Sequence, residues 1–219
     1  MQDAPELILP PEFPDATHID FASFHGKYAG RTCYLIGRGP TAFDYHSLTD
    51  VSDPIFFIND AVSLETHACS ETFFFAHDAQ LLVWLNGKSR STAVLPIDGK
   101  IFRQTPGITL HHTGGLVFYH WREQSKEDLL TMTRDQIADL KQLYTHTGTI
   151  HSALHFIWFC GFKRVRFVGC DAGGGYDPRI ANLSGSTARS EYTTIGQAQK
   201  ILTQLFGLEA EYLGRNEER

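Results

Sequence analysis

The sequence predicts an α/β fold: one doubly wound domain with a mostly parallel sheet and a small lid or excursion. Three observations predict it. Short apolar runs of strand length alternate with stretches of helical periodicity, the pattern of a parallel sheet covered on both faces. The runs at Cys33–Ile36, Ile55–Ile58 and Phe73–Ala76 are continuously apolar, as strands buried on both faces are. Run after run then ends in a small or polar group, at Gly37, Asn59-Asp60, His77-Asp78 and Asp171. In a parallel sheet these ends share one edge, and ligands bind outside it.

Taken in order, residues 1–30 are rich in Pro and Asp and read as an irregular arm. Cys33–Ile36 is the first strand, ended by Gly37. Pro40 suits the first turn of a following helix, where its missing N–H is no loss. Ile55–Ile58 is the second strand, and Ala61 to Ala68 a short helix. Phe73–Ala76 is the third strand, followed by a helix over Ala79 to Leu85 that stops at Asn86-Gly87. Ala93–Leu95 is a fourth strand, halted by Pro96. Residues 98–124, punctuated by Pro106-Gly107 and Gly114-Gly115, read as an irregular excursion or lid. Leu129, Leu130, Ile137, Leu140 and Leu143 fall between charges, so 125–145 is predicted as an amphipathic helix.

The best-defined unit runs from Gly148 to Gly175. Thr149 is placed to cap a helix whose apolar face carries Ile150, Ala153, Leu154, Ile157 and Trp158, with Gly161 as the C-terminal cap. A buried strand at Val165–Val168 then gives way to Gly169, Asp171 and Gly173–Gly175. Residues 176–192 are polar and turn-rich, a candidate mobile loop. Thr193–Leu205 reads as helix and Ala210–Leu213 as a last strand. The 219 residues fit a single Rossmann-like domain.

Hydrophobic residues are 42% and charged residues 20% of the chain, and the formal net charge is −6. That composition is ordinary for a soluble globular protein. Lys and Arg form no cluster, which argues against a nucleic-acid partner. An anionic ligand must be held locally, by backbone amides or a few cations. The cysteines, Cys33, Cys69, Cys160 and Cys170, match no zinc or disulfide spacing and read as buried free thiols in a reducing compartment. The N-terminal stretch does not read as a signal peptide, and no stretch approaches the ~20 apolar residues of a membrane span. The expectation is a soluble, cytoplasmic protein.

The strand ends supply the candidate chemistry. Gly37-Arg38-Gly39-Pro40-Thr41 leaves a strand and opens a helix, so its amides and Arg38 are placed to hold a phosphate or carboxylate; a plain tight turn needs only one of the glycines. The same stretch matches G-x-G-x-x-A, with Asp60 about twenty residues on, the outline of an NAD fingerprint. Any strand–turn–helix with two glycines passes that test, and Pro40 restricts close backbone approach, so NAD is not the expected ligand. His77 is placed to shuttle a proton, and Asp78 to bind a divalent ion or a ribose hydroxyl, or else to cap the helix from Ala79.

His151 and His155 share a helical face at i, i+4, but no third zinc ligand accompanies them, and satisfied helix histidines are expected. Thr147-Gly148-Thr149 offers hydroxyls and amides to a sugar, ribose or phosphate, or simply caps the helix. Asp171, with Gly173 in the glycine run behind it, can orient a nucleophile, bind a metal or take a ribose hydroxyl; the plain alternative is an Asx-turn at a strand exit. There is no assignable Ser/His/Asp set and no Walker motif.

Four blocks, CYLIGRGPTAFDYHSL, FFIND, FFFAHD and GTIHSALHFIWFCGFKRVRFVGCD, together resemble a superfamily with the order strand–GNGPS, strand–Asn, strand–Asp, then a Thr/Ser-Gly helix leading to a G-x-D strand. It includes bacterial CMP-sialic-acid sialyltransferases, motility accessory factors linked to flagellin glycosylation, and hydroxymethylpterin pyrophosphokinase-like proteins. The resemblance covers roughly residues 32 to 175. It implies that Gly37-Arg38-Gly39-Pro40-Thr41 and Asn59 hold the nucleotide part of a donor, CMP-linked by preference, with Thr147-Gly148-Thr149 nearby. Arg38 stands where the family has Asn. The family's catalytic His after the G-x-D strand has no counterpart, and Glu191 falls near the equivalent place.

The resulting expectation is a nucleotide- or nucleotide-sugar-binding protein, a glycosyltransferase-like enzyme in which Asp171 or Glu191 activates an acceptor hydroxyl. Two alternatives stand beside it. One is ATP-dependent pyrophosphoryl or phosphoryl transfer with Mg²⁺ on Asp78 and Asp171. The other is a non-catalytic nucleotide-binding protein. The residues do not specify the acceptor.

Overall fold

The computed structural model describes residues 11–47, 52–66, 71–97, 102, 107–122, 132–144, 148–171, 175–180 and 192–213. Nine strands form one sheet among them: β1 (Thr17–His18), β2 (Thr32–Ile36), β3 (Ile55–Ile58), β4 (Thr72–Phe75), β5 (Thr92–Pro96), β6 (Gly115–Arg122), β7 (Gln142–Tyr144), β8 (Arg164–Val168) and β9 (Glu209–Tyr212). Their order is β1-β6-β5-β4-β3-β2-β8-β9, with β7 also paired to β6, and the pairings are parallel. The chain steps outward from β2 to β6, then returns to lay β8 and β9 on the other side of β2. The strand order therefore reverses between β2 and β8, the topological switch point where open α/β sheets bind ligands.

Period-2 alternation sends the strand residues to two buried faces. Leu35, Phe56, Phe73, Phe75, Val117, Val165 and Phe167 pack on one face with Ala153, Leu154, Phe156 and Ile157 of a helix. Ile36, Phe57, Phe74, Ala93, Leu95 and Val168 pack on the other with Ala42, Val62, Leu81 and Leu82. Three α-helices are described: α1 (Arg134–Leu140), α2 (Thr149–Phe159) and α3 (Tyr192–Leu205). The second face is covered by 3-10 helices at Ala42–Ser47, Asn59–Leu64 and Ala79–Leu85. The α-helical reading of 61–68 and 79–85 is thus corrected: connectors of six or seven residues are too short to sustain an α ladder without help. Pro40 precedes its 3-10 helix rather than starting an α-helix.

α2 begins at a Gly148 N-cap, not at Thr149. It ends in a Schellman motif, with Gly161 N–H donating to Trp158 O at 3.0 Å, Phe162 N–H to Ile157 O at 3.3 Å, and Gly161 at φ +89°.

Three further expectations change. The excursion assigned to 98–124 contains β6. Gly115 reads as loop punctuation in the sequence but is the first strand residue, and a Cβ there would lie 2.5 Å from Ile19 Cδ1 and 2.9 Å from Thr92 Oγ1. The helix predicted over 125–145 is α1 alone in the described part. Thr133 and Gln136 start it with a capping box, left-handed Lys141 stops it, and β7 follows. The N-terminal arm is not irregular throughout: β1 joins the sheet, and Phe21, Phe24 and Tyr28 are buried, Phe21 stacking on Phe159 at 4.8 Å. No helix among the described residues is long and apolar enough to cross a membrane.

Candidate functional site

A pocket of about 130 Å³ opens at the switch point. The carboxyl ends of β2 (Gly37, Arg38, Gly39), β3 (Ile58, Asn59) and β8 (Gly169, Cys170, Asp171) supply its floor. The first turn of α2 (Gly148, Thr149, Ile150), Gly175-Tyr176, and Gly196 and Gln199 of α3 supply its walls. Among the residues expected here, Gly37, Arg38, Gly39, Asn59, Gly148, Thr149 and Asp171 are brought together.

The turn after β2 differs from an open amide cradle. Gly37 N–H donates to Val168 O at 2.8 Å and Gly39 N–H to Gly169 O at 2.6 Å. The Thr41 N–H and hydroxyl both donate to Asp171 Oδ2, at 3.0 and 2.7 Å, and the same hydroxyl accepts from Gly169 N–H at 3.0 Å. These amides are therefore engaged by β8 and the residues after it. The glycines have a packing cause too. A Cβ on Gly37 would run into Gly169 O, and one on Gly39 would lie 2.7 Å from Asp171 Oδ2. Both are glycine because two strand exits converge here. Pro40 is exposed and does not line the pocket, and Thr41 serves Asp171.

Arg38 is held at both ends. Its Nη1 lies 2.7 Å from Asp60 Oδ2, and Asp60 is fully buried. Its Nη2 donates to the Tyr176 hydroxyl at 2.7 Å, and the guanidinium lies 4.1 Å from the Tyr176 ring centroid. Asp60 is thus the counter-ion of Arg38, not a ribose ligand. The segment assigned to a mobile loop is pinned at its start. Asp177 N–H donates to Arg38 O at 2.8 Å, and buried Asp177 pairs with Arg179 at 2.6 Å, which holds its carboxyl below the usual range.

Asn59 follows β3 in the left-handed region at φ +54°, which Asn tolerates better than most side chains. Its Oδ1 accepts from the Thr149 hydroxyl at 3.1 Å, tying the end of β3 to the first turn of α2. The first N–H groups of that 11-residue helix lack intrahelical partners and line the pocket, where the helix dipole favours negative charge.

His77 and Asp78 do not join this pocket. His77 is 7% exposed and turns inward, with Nε2 2.8 Å from the Tyr119 hydroxyl and its ring 5.0 Å from Trp121. Burial, with His151 nearby, lowers its pKa to about 3, so it is neutral and cannot serve as a base near pH 7. Asp78 is exposed at the end of β4, the second strand from β2, and its side chain makes no cap hydrogen bond. His151 and His155 are buried core histidines, the latter accepting from Tyr144 N–H at 2.9 Å, and no group of potential metal ligands is found among the described residues.

Cys33 and Cys160 are buried free thiols, while Cys170 lines the pocket with its pKa pushed up to about 12 by burial and by Asp171. Thr147, Gly173 and Glu191 lie outside the described residues. Ile58, Ile150, Tyr176, Gly196 and Gln199 line the pocket without having been expected to. A glycine inside the predicted helix 193–205 is the one signal that points to the α3 wall.

No protein-family model matches the chain, and no curated protein matches it in sequence. Among solved structures it is similar to the MAf glycosyltransferase from Magnetospirillum magneticum AMB-1, with a TM-score of 0.50 and 14% identity. The likeness covers 91% of this chain and 38% of that one, so the chain spans little more than a third of that protein's length. At that identity the likeness shows the fold: a Rossmann-like α/β domain of the glycosyltransferase-like kind.

Proposed function

We propose that the chain binds a nucleotide or nucleotide-sugar in the switch-point pocket and acts in glycosyl transfer. The observation that carries this reading is the pocket itself. It sits where the strand order reverses, it is floored by three strand ends, and it presents Asp171 with one carboxylate oxygen fixed by Thr41. Arg38 and the first turn of α2 are the groups suited to an anionic linkage, and Asn59 to a ribose or base. Asp171 Oδ1 is the candidate base for an acceptor hydroxyl. The shared fold with a glycosyltransferase supports the reaction class.

The Mg²⁺-dependent phosphotransfer reading needs Asp78 beside Asp171, and Asp78 is not among the residues that line the pocket. Calorimetry with CMP, UDP, GDP and ATP, each with and without Mg²⁺, tests the proposal. Binding of at least one nucleotide without metal is expected. No heat with any of them would sink it.

A further inference from the structure

The α3 wall of the pocket has no part in the reading above, and two of its residues are unusual for a helix. Gly196 lies inside Tyr192–Leu205, where glycine is the weakest helix former after proline. It is buried and lines the pocket. Gln199, three residues on and so on the same helical face, is 3% exposed and lines the pocket as well. Its Nε2 donates to the Tyr212 hydroxyl at 3.3 Å, and Tyr212 is itself stacked on Phe167 at 4.9 Å. With the amide nitrogen engaged, the carbonyl oxygen is the group Gln199 has left for a ligand.

The pocket divides by chemistry. Arg38, the cation among its described lining residues, belongs to the strand-end side, as does Asp171. The α3 side offers a gap at Gly196 and one neutral acceptor. A phosphate finds no cation in that pair, and a sugar ring needs more than one partner for its hydroxyls. A flat ring with a single donor on its edge fits both features.

We propose that Gly196 and Gln199 form the base-recognition wall of the pocket, and that the base they select carries an exocyclic amine, as cytosine and adenine do. This rests on the nucleotide-binding reading. Gly196 leaves room for the ring to approach the helix. The Gln199 carbonyl accepts from the amine and meets the carbonyl of uracil or hypoxanthine with an unpaired acceptor, which is how a polar site rejects the wrong partner.

Calorimetry of the wild type, Gly196→Ala and Gln199→Leu with CMP, UMP, AMP and IMP tests this, with Tm measured for each. The wild type should favour an amino base over its oxo counterpart by about tenfold or more. Gln199→Leu should abolish that preference. Gly196→Ala should raise Tm, as alanine does in a helix, and weaken every nucleotide by about tenfold or more. A preference unchanged in Gln199→Leu overturns the proposal. So does a Gly196→Ala protein that binds like the wild type, or one with a lower Tm, since the glycine then serves helix packing. If Gln199→Leu does not fold, Gly196→Ala decides the case. A wild type that binds no nucleotide refutes the nucleotide reading itself, an outcome separate from failure of the variants.

Discussion

Lowering the pH from about 7 to about 5 should destabilise the protein through His77. The ring is 7% exposed, and its folded pKa is lowered to about 3 from 6.5 by burial and by His151. Between those values the unfolded chain binds a proton that the folded one refuses. Stability is therefore fully present above pH 6.5 and falls as the pH drops toward 3. The gap of about 3.5 units corresponds to about 5 kcal/mol over the whole window, and to about 2 kcal/mol by pH 5. For a chain of this size, 2 kcal/mol is about 4–8 °C in Tm.

His112 is also buried and shifted in the same direction, so it adds to the slope without being part of the test. The comparison is with His77→Gln, whose amide can keep the bond to the Tyr119 hydroxyl but does not titrate. Urea unfolding at several pH values should give a wild-type slope steeper than that of His77→Gln by up to about 1.4 kcal/mol per pH unit. Equal slopes would show that His77 gains its proton without loss of the fold, and would refute the reasoning.

Three substitutions probe the rest of the frame. Gly39→Ala sets a Cβ 2.7 Å from Asp171 Oδ2 and 2.8 Å from Gly169 O; it should cost about 1–3 kcal/mol in urea unfolding and weaken nucleotide binding, and a variant with wild-type stability would show that the two strand exits can part. Asp60→Asn leaves Arg38, only 14% exposed in its side chain, without its buried counter-ion; a loss of about 3 kcal/mol is expected, and thermal melting that leaves Tm unchanged would contradict the pairing. Gly161→Ala, at φ +89°, should cost about 1–2 kcal/mol by forcing a side chain into the left-handed cap of α2, which chemical unfolding will read directly.

Central strands were legible in the sequence because burial on both faces leaves unbroken apolar runs, and no other short segment of this chain looks like FFFA or IFFI. β6 was not, because its first residue is a glycine pressed between β1 and β5, and sequence alone cannot tell a packing glycine from a turn glycine. Nor could composition show that the connectors on one face wind as 3-10 helices. Asn59, Asp171 and Gly148-Thr149 were recognisable as site residues because their place at strand ends or a helix start follows from chain order. Asp60 and His77 occupy the same kind of position, yet each turns inward. Alternation along β4 puts His77 on the α2 side, but that Tyr119 and Trp121 would enclose it is a fact of packing. Asp60 is claimed by Arg38, 22 residues away, through space. Gly196 and Gln199 belong to a helix that meets the pocket only after the chain has crossed back over the sheet.

That crossing fixes when the site can exist during synthesis. Thr41 and Asp171 stand 130 residues apart in sequence. β2 is matched early by β3 on one side, but its other edge waits for β8, which leaves the ribosome more than a hundred residues later. Until then a nascent chain carries Cys33–Ile36 as an unguarded apolar edge, open to pairing with another molecule. Closing so long a loop is slow. The insertion that shields this edge is the same event that brings Asp171 to Thr41, so a chain competent to bind is also one whose most adhesive strand has been covered.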